Sequence, residues 1–430
     1  MNNTYANLEF GEHEYKLHIK CFIELYGYST EKVNGIDMGS LTEKGFCKSE
    51  RNRYTFQITG FIMTGQTLIV VFPKSHRLPS GFLEVMEHIK VLAGSLYRYK
   101  ESGTLTPEEN ELLSGSGSGR KYNIAPALSI MKDYLNSGII KRELKVQRSG
   151  HGAAVDWGRT VKKTEPFIYR KRAVYLDYIV REKSSDYTSK LVHLHREAVK
   201  KSFRLYGWLI DKNGLEKEIP DPSFSFTSNE ISFILNQELA MTNSQREINL
   251  IRMMQQFFQG LEDKEDSEQL DTFATPYFHN VWEKMCGAIF KNEYDKLKHL
   301  VPAPIWYWND KQKSTVQIPD ILYRHNRKMY ILDAKYYDTK RTLPGWHDLV
   351  KQFFYAYSMK ETGREYMNVM IFPAVETNVL RYEGHSLIPG RPDLGRVEAV
   401  GLDTFQALNI YASYSSQDFR SELERLLECK

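Results

Sequence analysis

The stretch Ile318-Pro319-Asp320-Ile321-Leu322-Tyr323-Arg324-His325-Asn326-Arg327-Lys328-Met329-Tyr330-Ile331-Leu332-Asp333-Ala334-Lys335 reads as two apolar strands joined by a polar turn at residues 325–328. With that turn, Ile321 faces Leu332 and Asp320 faces Asp333. Side chains alternate along a strand, so Lys335 leaves the sheet on the same face as Asp333. Like charges directly across a strand pair destabilise it. Two carboxylates held opposite each other therefore call for a cation, and hard oxygen ligands suit Mg²⁺. An ammonium beside a metal-bound water supplies the remaining charge for hydrolysing a phosphodiester. The pattern predicts a metal-dependent nuclease site.

Spacing alone is weak support, because Pro-Asp followed by Asp-x-Lys recurs by chance and a solvated surface hairpin accounts for it. The surroundings carry more weight. Met329-Tyr-Ile-Leu332 is almost wholly apolar, which predicts a strand buried on both faces. Ionised Asp333 and Lys335 at its end are then costly unless paired or metal-bound. Upstream, Phe278, Val281, Trp282, Met285 and Ile289 mark an amphipathic helix with Glu283 among its apolar residues. Downstream, residues 348–357 form a second helix that sets Gln352 against an aromatic run.

Helix, acid-bearing hairpin and helix together resemble the PD-(D/E)XK nuclease superfamily over roughly residues 273–415. The fold class implied is α/β: a nuclease core of mixed sheet flanked by helices, preceded by a β-rich N-terminal domain and a mixed, helix-containing middle region. By this resemblance Asp320, Asp333 and the Ala334 carbonyl bind one or two Mg²⁺ ions and Lys335 is the catalytic lysine. Glu283 completes the metal shell, and Gln352 matches the glutamine of the later helix. One departure is plain: in the common Gln-x-x-x-Tyr version the fourth residue after Gln352 is tyrosine, and here it is Ala356, flanked by Tyr355 and Tyr357.

Composition fits a multidomain protein with real cores: 430 residues, 41% hydrophobic, 26% charged. No apolar run reaches the ~18 residues needed to span a bilayer, and Met1-Asn-Asn-Thr-Tyr5 lacks the layout of a signal peptide. Cys21, Cys47, Cys286 and Cys429 are scattered without a C-x-x-C pair, which predicts reduced thiols and a cytoplasmic location.

Charge is uneven. From Lys141 to Tyr206 there are 17 Lys/Arg and 7 Asp/Glu, a balance of +10, so the remainder sums to −6 within a net charge of +4. Trp157, Phe167, Tyr169, Tyr175 and Tyr178 are interleaved with this basic block, which suits a phosphate backbone. An ordinary basic surface is the plainer alternative. Glu262 to Asp271, with six acids and one lysine, reads as a solvated linker, and Ser114-Gly-Ser-Gly-Ser-Gly119 as a flexible one. These shifts predict three domains: 1–113, 114–262 and 263–430.

The first of these contains a predicted hairpin, Phe56–Met63 with Gln66–Pro73, then a helix from Phe82. Gly60-Phe-Ile with Leu68-Ile-Val-Val-Phe-Pro-Lys74 is similar to the opening sheet of McrC-type restriction subunits. Gly152-Ala-Ala-Val-Asp-Trp157-Gly-Arg-Thr160 is similar to a stretch of LlaJI-type restriction components. The resemblance implies a nuclease subunit of a GTP-dependent restriction system. It acts on double-stranded DNA, meets a separate McrB-like AAA+ GTPase through its N-terminal domain, and uses GTP only through that partner. Double-strand cleavage implies dimerisation or assembly on DNA, and no membrane partner. Two other classes fit the residues: a stand-alone Mg²⁺-dependent nuclease of repair or mobile-element defence, and a non-catalytic DNA-binding adaptor with a nuclease-like fold.

Overall fold

The structure is a computed structural model that describes residues 7–10, 17–64, 67–114, 124–149, 154–186, 189–210, 212, 214–221, 224–262, 270–309, 311–359, 365–375 and 378–429. Most of both predicted linkers, 115–119 and 263–269, lies outside them, as do Gly152 and Ala153. The chain divides into two compact units rather than three. One comprises Met1–Ala125, Leu209–Asp211 and Asp263–Lys430, and the other Pro126–Trp208 and Lys212–Glu262. Residues 1–113 and 263–430, read from the sequence as separate domains, thus fall in the same unit.

The reason lies in a shared sheet. Strands β1 (Asn7–Phe10), β2 (Leu17–Ile23), β3 (Thr59–Thr64), β4 (Thr67–Phe72) and β5 (Asp271–Thr275) are ordered β1-β2-β4-β3-β5. The β3–β4 hairpin is antiparallel, as expected, and β2 runs parallel to β4. The last strand comes from beyond the acidic segment. Phe273 lies opposite Phe61 with rings stacked at 6.4 Å, and Ala274 lies opposite Gly60. A Cβ at Gly60 would meet the Phe273 carbonyl oxygen at 2.4 Å, and its φ of 137° is closed to other residues. Glycine is required there because β5 runs so close.

Helix α1 (Phe82–Glu101) follows the hairpin. The second sheet is mixed: β6 (Ile321–His325), β7 (Lys328–Ala334), β8 (Tyr366–Ala374), β9 (Leu380–Leu387) and β10 (Arg396–Asp403), in the order β6-β7-β8-β10-β9. Its inner pairs β7–β8 and β8–β10 are parallel and its outer pairs antiparallel. Parallel strands are covered on both faces, and β7 is buried from Met329 to Ala334. Helices α2 (Phe278–Ile289), α3 (Trp346–Met359) and α4 (Thr404–Ala412) flank it. Leu322, Met329 and Ile331 pack under Tyr355, Ala356 and Met359 of α3. Helix α4 joins the sheets by lying on α1, where Ser95 Oγ donates to the Leu408 carbonyl at 2.9 Å.

The other unit carries the basic block. Ile179–Ser185 is the central strand of three, between Glu143–Ser149 and Ala154–Val155, beside a separate hairpin of Phe167–Tyr169 with Arg172–Val174. Helices Lys190–Tyr206, Ser228–Met241 and Gln245–Glu262 belong to the same unit, with Trp157–Lys163 and most of Ile124–Ser137. Thr227 and Glu230 form a capping box. His193 and His195 are buried, and His195 Nδ1 accepts from the Ile140 N–H at 3.0 Å.

Candidate active site

The hairpin has the register read from its sequence. Ile321 pairs with Leu332 and His325 with Lys328, leaving Asn326 (φ 43°) and Arg327 (φ 67°) as the two turn residues. Positive φ at both central positions is the turn geometry that matches the twist of the strands. Tyr323 and Tyr330 stand opposite each other with rings stacked at 4.8 Å, which fixes the pairing. Asp320 sits one residue before β6, half-buried. Its Oδ2 accepts from the Ala334 N–H at 3.0 Å, which brings it beside Asp333. Asn292 holds it from behind, donating to the Asp320 carbonyl at 2.9 Å and accepting from the Leu322 N–H at 3.0 Å.

Asp333 is 2% exposed, and neither of its carboxylate oxygens has a well-formed hydrogen bond among the described residues. Lys335 Nζ lies 3.0 Å from Asp333 Oδ2 and 3.0 Å from Asp348 Oδ1. Burial, then the neighbouring Asp320, push the Asp333 carboxyl up to about 6. Asp320 is also raised, by burial first and then by Glu283. Burial works against the Lys335 ammonium, but Asp333 and Asp348 outweigh it and hold its pKa above the ordinary lysine value. Burial likewise opposes ionisation of Asp348, yet bonds from Lys335 and from the Tyr337 hydroxyl at 3.1 Å leave it below the usual carboxylate range.

The structure therefore brings Asp320, Asp333, Ala334 and Lys335 together. It treats the two helix residues differently. Glu283 is exposed on α2; partial desolvation and the Asp333 charge raise its carboxyl, but it makes no group of three metal-binding side chains with the two aspartates among the described residues. Gln352 is 1% exposed, and its Nε2 donates to the Ile331 carbonyl at 3.1 Å and the Val369 carbonyl at 3.3 Å. Its amide bridges β7 and β8; no bond reaches the acids. Beside Ala356, the Tyr355 hydroxyl donates to the Ile318 carbonyl at 3.2 Å, ahead of Pro319-Asp320.

Three participants escaped the sequence reading. Asp348 is one. Lys351 is another, close enough that its charge lowers the carboxyls of Asp320, Asp333 and Glu283. The third is Tyr336, directly after Lys335 and projecting to the other face. Its hydroxyl donates to Glu24 Oε2 at 2.5 Å and accepts from the Lys74 N–H at 2.8 Å, and its ring packs on Phe278 and Trp282 of α2. No spacing rule links positions 24, 74 and 336; the shared unit does.

The basic block presents a second candidate surface. At the tip of its hairpin, Arg170 (φ 50°) and Lys171 (φ 64°) occupy turn positions that ordinarily take Asn-Gly. Trp157, Phe167 and Tyr169 are more than half exposed, and Arg170 lies over the Tyr169 ring. Placing two cations where the backbone disfavours them points to a use for their charge.

A mixed sheet bearing two carboxylates and a lysine, taken with its relatives, puts the chain in the class of restriction-system nuclease components. It belongs to the LlaJI restriction endonuclease family, whose pattern matches residues 58–385. It is similar to component YdjA of the type II restriction enzyme BsuMI from Bacillus subtilis (strain 168), 26% identical over 450 residues that cover 94% of this chain and 93% of YdjA. Among solved structures it is similar to a chain in the assembly of Thermococcus gammatolerans McrB AAA+ hexamers with bound McrC, with a TM-score of 0.39 and 12% identity over 90% of this chain and 88% of that one. The Thermococcus gammatolerans McrBC complex also matches, with a TM-score of 0.24 and 12% identity over 57% and 87% of the two chains. Among the described residues, no helix is long and apolar enough to cross a membrane.

Proposed function

We propose that this chain is the DNA-cleaving subunit of a GTP-dependent restriction system, with a PD-(D/E)XK-type core that hydrolyses phosphodiester bonds using Mg²⁺. The observation that carries the reading is the registered hairpin with Asp320, Asp333 and Lys335 converging on one face. The donor set fits a hard cation: the Asp333 oxygens are buried without a well-formed hydrogen bond among the described residues, next to the carboxylate of Asp320. Asp320 and Asp333, with the Ala334 carbonyl, would hold the ion. When bound it supplies Lewis-acid chemistry and lowers the pKa of an attacking water.

The chain's own residues do the rest. The Ala334 N–H and Asn292 fix Asp320. Asp348, itself held by Tyr337, fixes Lys335, so that one protonated ammonium stands beside the acids to meet the charge that develops on phosphorus. Lys351 adds a second cation to the same field. Attack on phosphorus would leave a 5′-phosphate. Glu283 would enter the shell only by swinging in from α2.

The partner is proposed as a separate McrB-like AAA+ GTPase, on the likeness of Gly60–Lys74 to McrC-type subunits, with GTP used only by that partner. Cutting both strands would bring two copies together on DNA.

Plasmid cleavage tests the reading. Cutting is expected with Mg²⁺, partner and GTP together, and is expected to vanish with a chelator or with Asp320→Ala. Cutting with Mg²⁺ alone would favour a stand-alone nuclease, and no cutting with intact DNA binding would favour an adaptor.

The basic hairpin would track the DNA backbone. Replacing Arg170 and Lys171 by Asn-Gly is expected to raise the stability of its unit by about 1 kcal/mol, because the turn strain goes. The same change should make the slope of log affinity for DNA against log salt shallower by about 1.8, for two phosphate contacts. Thermal unfolding and a salt titration of DNA binding measure the two effects.

A further inference from the structure

Ile305–Trp308 and Lys311–Ser314 form an isolated two-stranded ribbon that the proposed chemistry does not use. Its register sets Trp306 against Lys313 and Trp308 against Lys311, so two indoles and two ammoniums share one face. Every residue of both strands is exposed, with Trp306 at 62% and Trp308 at 70%. Neither lysine has an ion-pair partner among the described residues. A ribbon this short buries nothing that would require tryptophan.

The ribbon's root is tied to the acid site. Exposed Val316 and Ile318 continue the apolar surface toward Pro319-Asp320. The carbonyls of Gln317 and Ile318 accept from the hydroxyls of Tyr294 and Tyr355, each at 3.2 Å. Five residues lie between Ser314 and Asp320, a reach of at most about 20 Å over six Cα steps. Any backbone whose phosphate sits between Asp320 and Asp333 therefore passes within range of the ribbon.

We propose that this ribbon is a DNA-contacting arm of the nuclease: Lys311 and Lys313 neutralise phosphates beside the scissile one, and Trp306 and Trp308 lie against bases. The inference rests on the nuclease reading of Asp320 and Asp333. DNA is favoured over a protein because the centres of protein interfaces are depleted in lysine. Unpaired cations alternating with aromatic rings are what a phosphate backbone and its bases complement, and a two-stranded ribbon fits the major groove of a duplex.

The test uses the full chain carrying Asp333→Asn, with a chelator present throughout, and reads binding to intact duplex by gel, so cutting by any route is seen and kept apart from the binding result. A duplex oligonucleotide is titrated at several salt concentrations. Trp306→Ala with Trp308→Ala is expected to weaken binding about tenfold or more. Lys311→Ala with Lys313→Ala should make the salt slope shallower by about 1.8. If the tryptophan pair fails to fold by circular dichroism, the lysine pair decides, since its side chains support no packing. Wild-type affinity and salt slope in folded variants overturn the proposal. So does unchanged DNA binding with lost capture of the purified AAA+ motor, which would make the ribbon a protein-docking surface. Wild-type protein that never cuts, while these variants still lose DNA, would sink the nuclease reading and leave the arm standing.

Discussion

Asp333→Asn is expected to abolish plasmid cleavage, by on the order of 10³-fold or more, while making the folded chain more stable at neutral pH. Asp333 is 2% exposed and its pKa is pushed from 3.8 up to about 6, first by burial and then by Asp320. Between about pH 4 and pH 6 the folded chain holds a proton here that the unfolded chain has released. This group's contribution therefore favours folding more as pH falls through that window, and its penalty is complete above pH 6. Asparagine keeps the shape without the charge, so in metal-free buffer the gain should be on the order of 1–3 kcal/mol at pH 8 and much smaller at pH 4. Urea unfolding at both values measures it. Cleavage at the wild-type rate by this variant would remove Asp333 from the site altogether.

Lys335→Met should also stop cutting, but with the opposite effect on stability. The ammonium sits between Asp333 and Asp348 at 3.0 Å from each. Taking it away leaves carboxylates facing one another at the edge of the core, and losing one partner of such a set costs roughly 3 kcal/mol. Loss of a cation aimed at transition-state charge costs about 10²–10³-fold in rate. Single-turnover cleavage and urea unfolding separate the two effects. Lys335→Arg should recover most of the stability and little of the rate, because a planar guanidinium does not reproduce the ammonium's position. A stable, inactive methionine variant would mean that the lysine holds neither acid in place.

The hairpin was legible in the sequence for local reasons. A polar four-residue turn between apolar runs leaves one register that keeps Met329 and Ile331 in the core, and Tyr323 stacked on Tyr330 reinforces it. Strand alternation then delivered Asp320, Asp333 and Lys335 to one face. The helix contributions were harder, because a helix's distance and rotation are set by packing. Gln352 was matched only to the glutamine of a later helix; its turn of α3 faces the β7–β8 seam, where two strand carbonyls accept from its amide. Asp348, one turn earlier, reaches Lys335 instead. Glu283 lies on α2 as an exposed residue, near enough for its charge to raise the Asp320 carboxyl. The domain boundaries drawn at 113 and 262 followed composition, and composition carries no sign of a strand that crosses from one segment to another.

That crossing strand matters for anyone dissecting the molecule. Expressing residues 263–430 alone would strand β5 without its neighbours, and expressing 1–113 alone would bare the flank of β3, glycine and all. Open flanks of this kind recruit other chains. The two pieces should accordingly behave as complementary fragments: sticky when made apart and well mannered when produced in the same cell. The enzyme's natural seam for surgery is the boundary of the basic unit, which leaves and re-enters the chain as an insertion.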